Sequence, residues 1–361
     1  MRFLIVGGDA AGMSAASRAK RNIPGLDVTV FERTQDVSYS ACGMPYNLQD
    51  PKRSMDDLVV RPAHVFRERQ GIDVRLGHEV VHVDPQGHKV LVRGQGGEYE
   101  ECFDKLLIAT GASPIIPDVE GIRQRGVFVL KSLGDGRRIK EFVLNNKCRA
   151  AVILGMGYIA LEMAEAFRSL GLKVTMVKPR PKLLPWMNET LSDVVLGELQ
   201  GHGVELIFGE DLKGVGEDGG RLLLRFSSME IRCDLLLVAV GIRPNSELAK
   251  DAGLELGPSG AISVNRQMQT SHPDVYAAGD CADAYHVVTG KKVWIPLALR
   301  ANRSGYAVAD HLSGKEVELQ GVAGTAVFKV FDLEVARTGL SLEEAKREGF
   351  DPVEEVVSSR S

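Results

Sequence analysis

Cys42 stands in the run Ser38-Tyr39-Ser40-Ala41-Cys42-Gly43-Met44-Pro45-Tyr46, and the next cysteine along the chain is Cys102. The plainer reading of such a residue is a buried structural cysteine; as a redox group, a thiol this far from any other would exchange electrons without a disulfide partner in its own segment. It would cycle between thiolate and either a mixed disulfide or a sulfenic acid. Upstream lies the frame Gly7-Gly8-Asp9-Ala10-Ala11-Gly12, between the apolar run Phe3-Leu4-Ile5-Val6 and a small-residue helix expected over 10–21. Glycines at such a strand-to-helix turn let backbone approach a pyrophosphate, which the helix start favours. Asp9 takes the place where the middle glycine usually sits, while Ala10 and Ala11 are small enough to leave room. Glu32 ends the next apolar strand 20 residues past Gly12 (32 − 12), where an acid binds a ribose hydroxyl. The plainer reading of this frame is the glycine turn of any α/β protein.

A second frame, Gly155-Met156-Gly157-Tyr158-Ile159-Ala160, fits G-x-G-x-x-A. The strand after it runs into Val177-Lys178-Pro179-Arg180-Pro181-Lys182, with no acid for the adenine ribose. Cations such as Lys178 and Arg180 suit a 2′-phosphate, so NADPH is favoured over NADH. The alternative is a solvated basic loop.

These residues need a scaffold that repeats. Strands over 3–6 and 28–31 flank the first helix, and strands over 151–154 and 174–177 flank a second over 158–170. The two βαβ units lie 148 residues apart (155 − 7). Each is the nucleotide-binding half of a doubly wound α/β fold. Two apolar strands ending in glycine, 104–111 and 234–241, are placed at the crossings between domains. The first domain is set at 1–112 and 235–320, with the second inserted at 113–234. From 321 a third element begins, with strands over 327–330 and 333–338 and a capping-box helix start at Ser341 and Glu344.

Composition narrows the class. At 361 residues more than one domain is expected. A net charge of −4 gives no basic field for nucleic acid. No apolar run approaches the roughly 18 residues that span a membrane. Five widely spaced cysteines argue against a secreted disulfide scaffold. A cytoplasmic protein is expected, with no metal site.

With these residues placed, the chain resembles the FAD-dependent pyridine nucleotide–disulfide oxidoreductases. It is most similar to their single-cysteine branch of coenzyme A-disulfide reductases, NADH oxidases and NADH peroxidases. The resemblance runs from residue 1 to about 350. It rests on five motifs in order: the opening glycine frame, S-Y-S-A-C-G-M-P-Y, A-T-G at 109–111, G-M-G-Y-I-A-L-E at 155–162 and Y-A-A-G-D-C-A at 276–282. It implies two Rossmann-like nucleotide-binding domains and the start of an α+β C-terminal dimerisation domain, of which the chain holds about the first third.

By this resemblance FAD lies on the first domain, along Gly7, Asp9, Ala10, Ala11 and Gly12, with Glu32 and Arg33 at the adenosine. Ala109, Thr110, Gly111, Gly241, Gly279, Asp280 and Ala298 complete its contacts, and Asp280 bonds the ribityl or phosphate side. Gly155, Gly157 and Ile159 lie on the nicotinamide dinucleotide. Tyr158 is the aromatic gate, or equally a packed helix residue, and Glu162 is the acid that orients that site.

Two-cysteine members carry C-x-x-x-x-C, and here the second position is Asn47, which excludes a local disulfide. The flavin and a helix start over 43–47 are expected to favour the Cys42 thiolate. Oxidases and peroxidases carry a histidine in the opening frame, where this chain has Ala10, and no histidine precedes His64. A coenzyme A disulfide or persulfide is therefore the expected substrate, met by Lys20, Arg21, Ser38, Asn47 and Arg61. An oxidase or peroxidase using a sulfenic acid, and a low-turnover flavin sensor, are the alternatives. A homodimer is implied, and Val327, Phe328, Val330 and Phe331 are expected to be exposed without it.

Overall fold

The structure, a computed structural model, describes residues 1–359. The last two residues of the third element set at 321–361 therefore lie outside the described residues.

The first sheet has five parallel strands in the order Val275–Ala277, Lys105–Ile108, Arg2–Val6, Asp27–Glu32 and Asp73–Leu76. Its central strands are unbroken apolar runs because both faces are covered; Phe3, Leu4 and Ile5 are fully buried. The helix Ala10–Asn22 packs on the helix Ala298–Leu312 through small residues. The approach is so close that a methyl group on Gly305 would lie 2.3 Å from the Ala11 carbonyl oxygen.

The second sheet repeats the design, with parallel strands in the order Val204–Phe208, Lys173–Lys178, Ala150–Leu154, Leu235–Val238 and Val127–Phe128. This corrects the return to the first domain, set at 235. Leu235–Val238 pairs with Ala150–Leu154, Ala151 opposite Leu235, and all four residues are buried in the second domain. The chain leaves only at Gly241, whose φ of +134° lets it turn. There Ile242–Pro244 runs antiparallel to Ala112–Pro114, so outgoing and returning crossings lie side by side.

The repeat extends further than the motifs show. Each domain carries a three-stranded antiparallel sheet, one from Glu79 to Cys102 and one from Leu212 to Cys233.

The strands Ala326–Val330 and Leu333–Arg337 form the expected hairpin, and Ser341 and Glu344 make the expected capping box on Leu342–Arg347. The hairpin's apolar face is not exposed, however. Phe328, Val330 and Phe331 are buried in the second domain's core, and only Val327 faces solvent, at 71% exposure. Strand alternation turns Phe328 and Val330 inward and Val327 outward. Phe331, at φ +51°, closes the turn with its amide donating to Glu165 Oε2 at 2.8 Å. Lys329 pairs with the other Glu165 oxygen at 3.0 Å.

Phe328 and Val330 are the two inward side chains of the first hairpin strand that pack in the second domain's core. Phe328→Ala combined with Val330→Ala should remove about 4 kcal/mol or more of packing. Limited proteolysis should then cut the chain near residue 325 while the first domain stays protected. An unchanged cleavage pattern would contradict this docking.

Candidate active site

Both glycine frames pass a neighbouring strand end with no space for a side chain. A methyl group on Gly7 would lie 2.2 Å from the Ala109 carbonyl oxygen, and one on Gly155 2.3 Å from that of Ala239. Gly12 is equally constrained, 1.9 Å from the Gly7 carbonyl oxygen. The close passage sets the first helix directly at a strand end, with its first turn facing a cavity of about 2250 Å³. That is more than twice the upper end of the roughly 300–1,000 Å³ typical of one small-molecule pocket.

Each wall of the cavity is fixed by local bonding. Glu32 Oε2 accepts from the Gly8 amide at 2.8 Å, and Oε1 from the Thr34 amide and hydroxyl, both at 2.8 Å. Exposed Arg33 stands beside it, 4.0 Å from Glu79. Ala109, Thr110 and Gly111 line the cavity where Asn245 ties the two crossings together. Thr110 donates to the Asn245 carbonyl at 2.6 Å, Asn245 Nδ2 returns a bond to the Thr110 carbonyl at 2.8 Å, and the Asn245 amide donates to Gly111. At the opposite wall Gly279, with φ +81°, donates to Ser304 Oγ and accepts from buried Arg300. Asp280 accepts from Lys131 Nζ at 2.8 Å. Ala298 opens a 15-residue helix whose start also faces the cavity.

Cys42 sits on this wall as an exposed, unpaired thiol, and no cysteine among the described residues is in a disulfide. It lies in a single 3₁₀ turn, Ala41–Gly43, ahead of a five-residue helix Met44–Leu48. The helix does not lower its pKa as expected. Desolvation by the cavity walls pushes the thiol up, the Glu162 carboxylate pushes it further, and Lys131 opposes both. Asp280 and Asp9 add smaller upward pushes. Glu162 is itself held above the usual carboxylate range by burial, against the Tyr46 hydroxyl that donates to its Oε1 at 3.0 Å. Tyr46 is pushed up to about 12, by burial first and then by Glu162. Tyr158 is half-buried at the start of its helix. It lines the cavity with Ile159 and Glu162, and its ring stacks on Phe328 with centroids 4.6 Å apart.

Residues 1–305 match the family described as pyridine nucleotide-disulphide oxidoreductase. The chain belongs to the pyridine nucleotide-disulphide oxidoreductase family. It is 42% identical over 361 residues to an NAD(P)H sulfur oxidoreductase (CoA-dependent) of Pyrococcus furiosus, covering 97% of this chain and 78% of the relative. It is 43% identical over 352 residues to an NAD(P)H coenzyme A polysulfide/persulfide reductase of Pyrococcus horikoshii, with the same coverage. The solved structure of an NAD-dependent persulfide reductase from A. fulgidus superposes with a TM-score of 0.93 at 34% identity, covering 97% of this chain and 66% of that one. This chain is thus an oxidoreductase of that family, and membership implies FAD and a nicotinamide dinucleotide.

The first domain fits such a dinucleotide. Asp9 precedes the helix Ala10–Asn22 but its side chain makes no cap, so the first-turn amides are left free for an anion. Its Oδ1 is sealed from solvent without a hydrogen-bond partner. The second frame is less complete. Gly155, Gly157 and Gly241 lie off the cavity, and Gly241 instead accepts the Ile115 amide at 2.9 Å. Lys178 does not reach out as a free cation. Its Nζ donates to the Lys182 and Leu183 carbonyls at 2.5 and 2.7 Å, closing its own loop, while Arg180 is exposed.

Of the five residues expected at the substrate, Arg21, Ser38 and Arg61 line the cavity. Two are corrected. Lys20 Nζ is bound to the Leu26 carbonyl at 2.9 Å, off the cavity. Asn47 is 1% exposed and holds the segment after Cys42 together, donating to the Ser54 carbonyl and accepting from Lys140. A second cysteine's place is thus occupied by a structural amide. Sequence reasoning missed Lys131, Tyr46 and Asn245. Tyr46 lies inside the motif that singled out Cys42, four residues on. Lys131 carries no local signal beyond its place before the Ser132–Asp135 capping box.

The opposed charges set the titration of Cys42. Glu162→Gln removes an upward push, so the pH midpoint of Cys42 alkylation should fall. Lys131→Met removes the downward pull, so it should rise. Measured iodoacetamide rates against pH that shift both variants the same way would contradict this arrangement.

Proposed function

We propose that this protein is an NAD(P)H-dependent flavoprotein reductase that cleaves the sulfur–sulfur bond of a coenzyme A disulfide or persulfide at Cys42. The observation that carries this reading is one exposed thiol, unpaired and with Asn47 in the second cysteine's place, on the wall of a cavity of about 2250 Å³ that the first glycine frame also lines. The partner sulfur must then come with the substrate. The two Pyrococcus relatives, whose names join coenzyme A with sulfur reduction, support that choice of substrate.

Cys42 as thiolate attacks one sulfur of the substrate disulfide. A bond forms between Cys42 Sγ and that sulfur, and the second sulfur leaves as a thiolate that takes up a proton. Two electrons and a proton then cleave the mixed disulfide, releasing the second thiol and restoring the Cys42 thiolate. FAD, when bound, supplies the two-electron relay from reduced nicotinamide to sulfur. The thiolate needs help, because burial and Glu162 both disfavour it. Lys131 provides the opposing charge. Glu162 held neutral, as its own burial favours, would withdraw the largest repulsion at the moment Cys42 becomes an anion. Arg21 and Arg61 offer cations to the phosphates of coenzyme A. Arg180 is the exposed cation for a 2′-phosphate, which supports NADPH over NADH. The family resemblance leads us to expect a cytoplasmic protein that forms a homodimer where the full C-terminal domain is present.

Cys42→Ser should keep its flavin absorbance and lose NADPH-dependent reduction of coenzyme A disulfide by at least about a thousandfold. Retained turnover would remove Cys42 from the reaction. Arg180→Glu should lower kcat/KM for NADPH about tenfold or more while sparing NADH. An unchanged ratio of the two would remove the 2′-phosphate reading.

A further inference from the structure

Asp9 is not used in the reaction above, and its surroundings are unusual for an acid. It stands where a dinucleotide frame ordinarily has glycine, at the start of a helix whose first-turn amides it leaves uncapped. Its Oδ1 is buried and has no hydrogen-bond partner. The groups facing it come from four segments: the charged side chains of Glu32 at the end of its strand, Asp280 in the turn after Val275–Ala277 and Lys131 before the helix Leu133–Asn145, and the backbone amide of Tyr39 ahead of Cys42. Lys131, the cation among them, is already bonded to Asp280 at 2.8 Å.

We propose that Asp9 binds the cofactor as a neutral carboxylic acid, so that loading FAD takes up one proton at this side chain. The inference rests on the reading that FAD occupies this cavity. A carboxylate only accepts hydrogen bonds, and the diphosphate that the helix start attracts offers only acceptors. An ionised Asp9 would therefore face a dianion with no bond between them. Once protonated, the same side chain gains an O–H to donate to a phosphate or ribityl oxygen, and its buried Oδ1 is no longer part of an unpaired charge.

The protein is already biased this way. Burial pushes Asp9 up to about 6, Glu32 and Asp280 push in the same direction, and the Tyr39 amide and Lys131 pull against them. An incoming diphosphate raises it further. The sign follows from linkage. Affinity is complete at pH values below the free-site value near 6, where Asp9 is neutral before FAD arrives. It falls as pH rises above that value, about tenfold per pH unit, until the higher bound-state value is passed. The diphosphate itself stays dianionic across this range and contributes no slope.

The test is the FAD dissociation constant of the loaded protein, read from flavin fluorescence released on dilution between about pH 5.5 and 9. Wild type should weaken about tenfold per unit above about pH 6. Asp9→Asn keeps a donor without a charge, so its profile should be flat and its binding at pH 8 tighter than wild type. Calorimetry in two buffers of different ionisation enthalpy should record close to one proton taken up per FAD near pH 7.5, a measurement on wild type that stands if the variant fails to fold. A flat wild-type profile with no proton uptake, or the same slope in Asp9→Asn, overturns the role of Asp9 and leaves the flavin reading intact. Absence of FAD binding at every pH overturns both.

Discussion

Twice in this chain a glycine turn passes a strand end with no room for a methyl group between them. Gly7 passes the Ala109 carbonyl and Gly155 passes that of Ala239, with φ values of +109° and +112°. A side chain at either place would meet both a clash and a backbone conformation that L-residues avoid. The tightness has a purpose that reaches beyond the turn. It sets the start of a helix at the end of a buried strand, and in the first domain it opens that helix start to the cavity. The strand ends that receive the glycines, 109–111 and 239–241, are also where the chain crosses between domains. One steric constraint thus fixes both the cradle and the two crossings that bring the second domain alongside it.

The cavity formed in this way is acidic around Cys42. Glu162, Asp280 and Asp9 all disfavour a thiolate at Cys42, and Lys131 opposes them while bonded to Asp280. The thiol form is therefore favoured at rest. Chemistry at sulfur requires that some of this negative charge be neutralised, and burial already moves Glu162 and Asp9 toward their neutral forms. Proton occupancy of the acids and reactivity of the thiol are parts of one electrostatic balance.

Much of the fold is legible in the residues because its signals are local. The apolar runs at 3–6 and 151–154, each closed by glycine, mark parallel strands without reference to anything distant. The Ser341–Glu344 box marks its helix for the same reason. What was misplaced depends on distant pairing. Leu235–Val238 reads as an exit because it ends in glycine, and only its register against Ala150–Leu154 shows that it belongs to the second sheet. Phe328 and Val330 read as exposed because the surface that covers them, the second domain's core, is over a hundred residues away. The site divides likewise. Cys42, Glu162 and Asp280 sit in motifs, whereas Lys131 and Asn245 matter only through what folding brings to them. Asn47 and Lys20 look like ligand contacts by type, yet the structure commits both to their own backbone neighbourhood.

The central claim is that the sulfur partner of Cys42 arrives with the substrate. Intact-mass and peptide spectra of the oxidised protein, mixed with coenzyme A disulfide under non-reducing conditions, test it most directly. The account predicts one coenzyme A adduct per chain, located at Cys42, removed by NADPH and absent from Cys42→Ser. A disulfide between Cys42 and another cysteine of the chain, or an adduct that persists in Cys42→Ser, would contradict it.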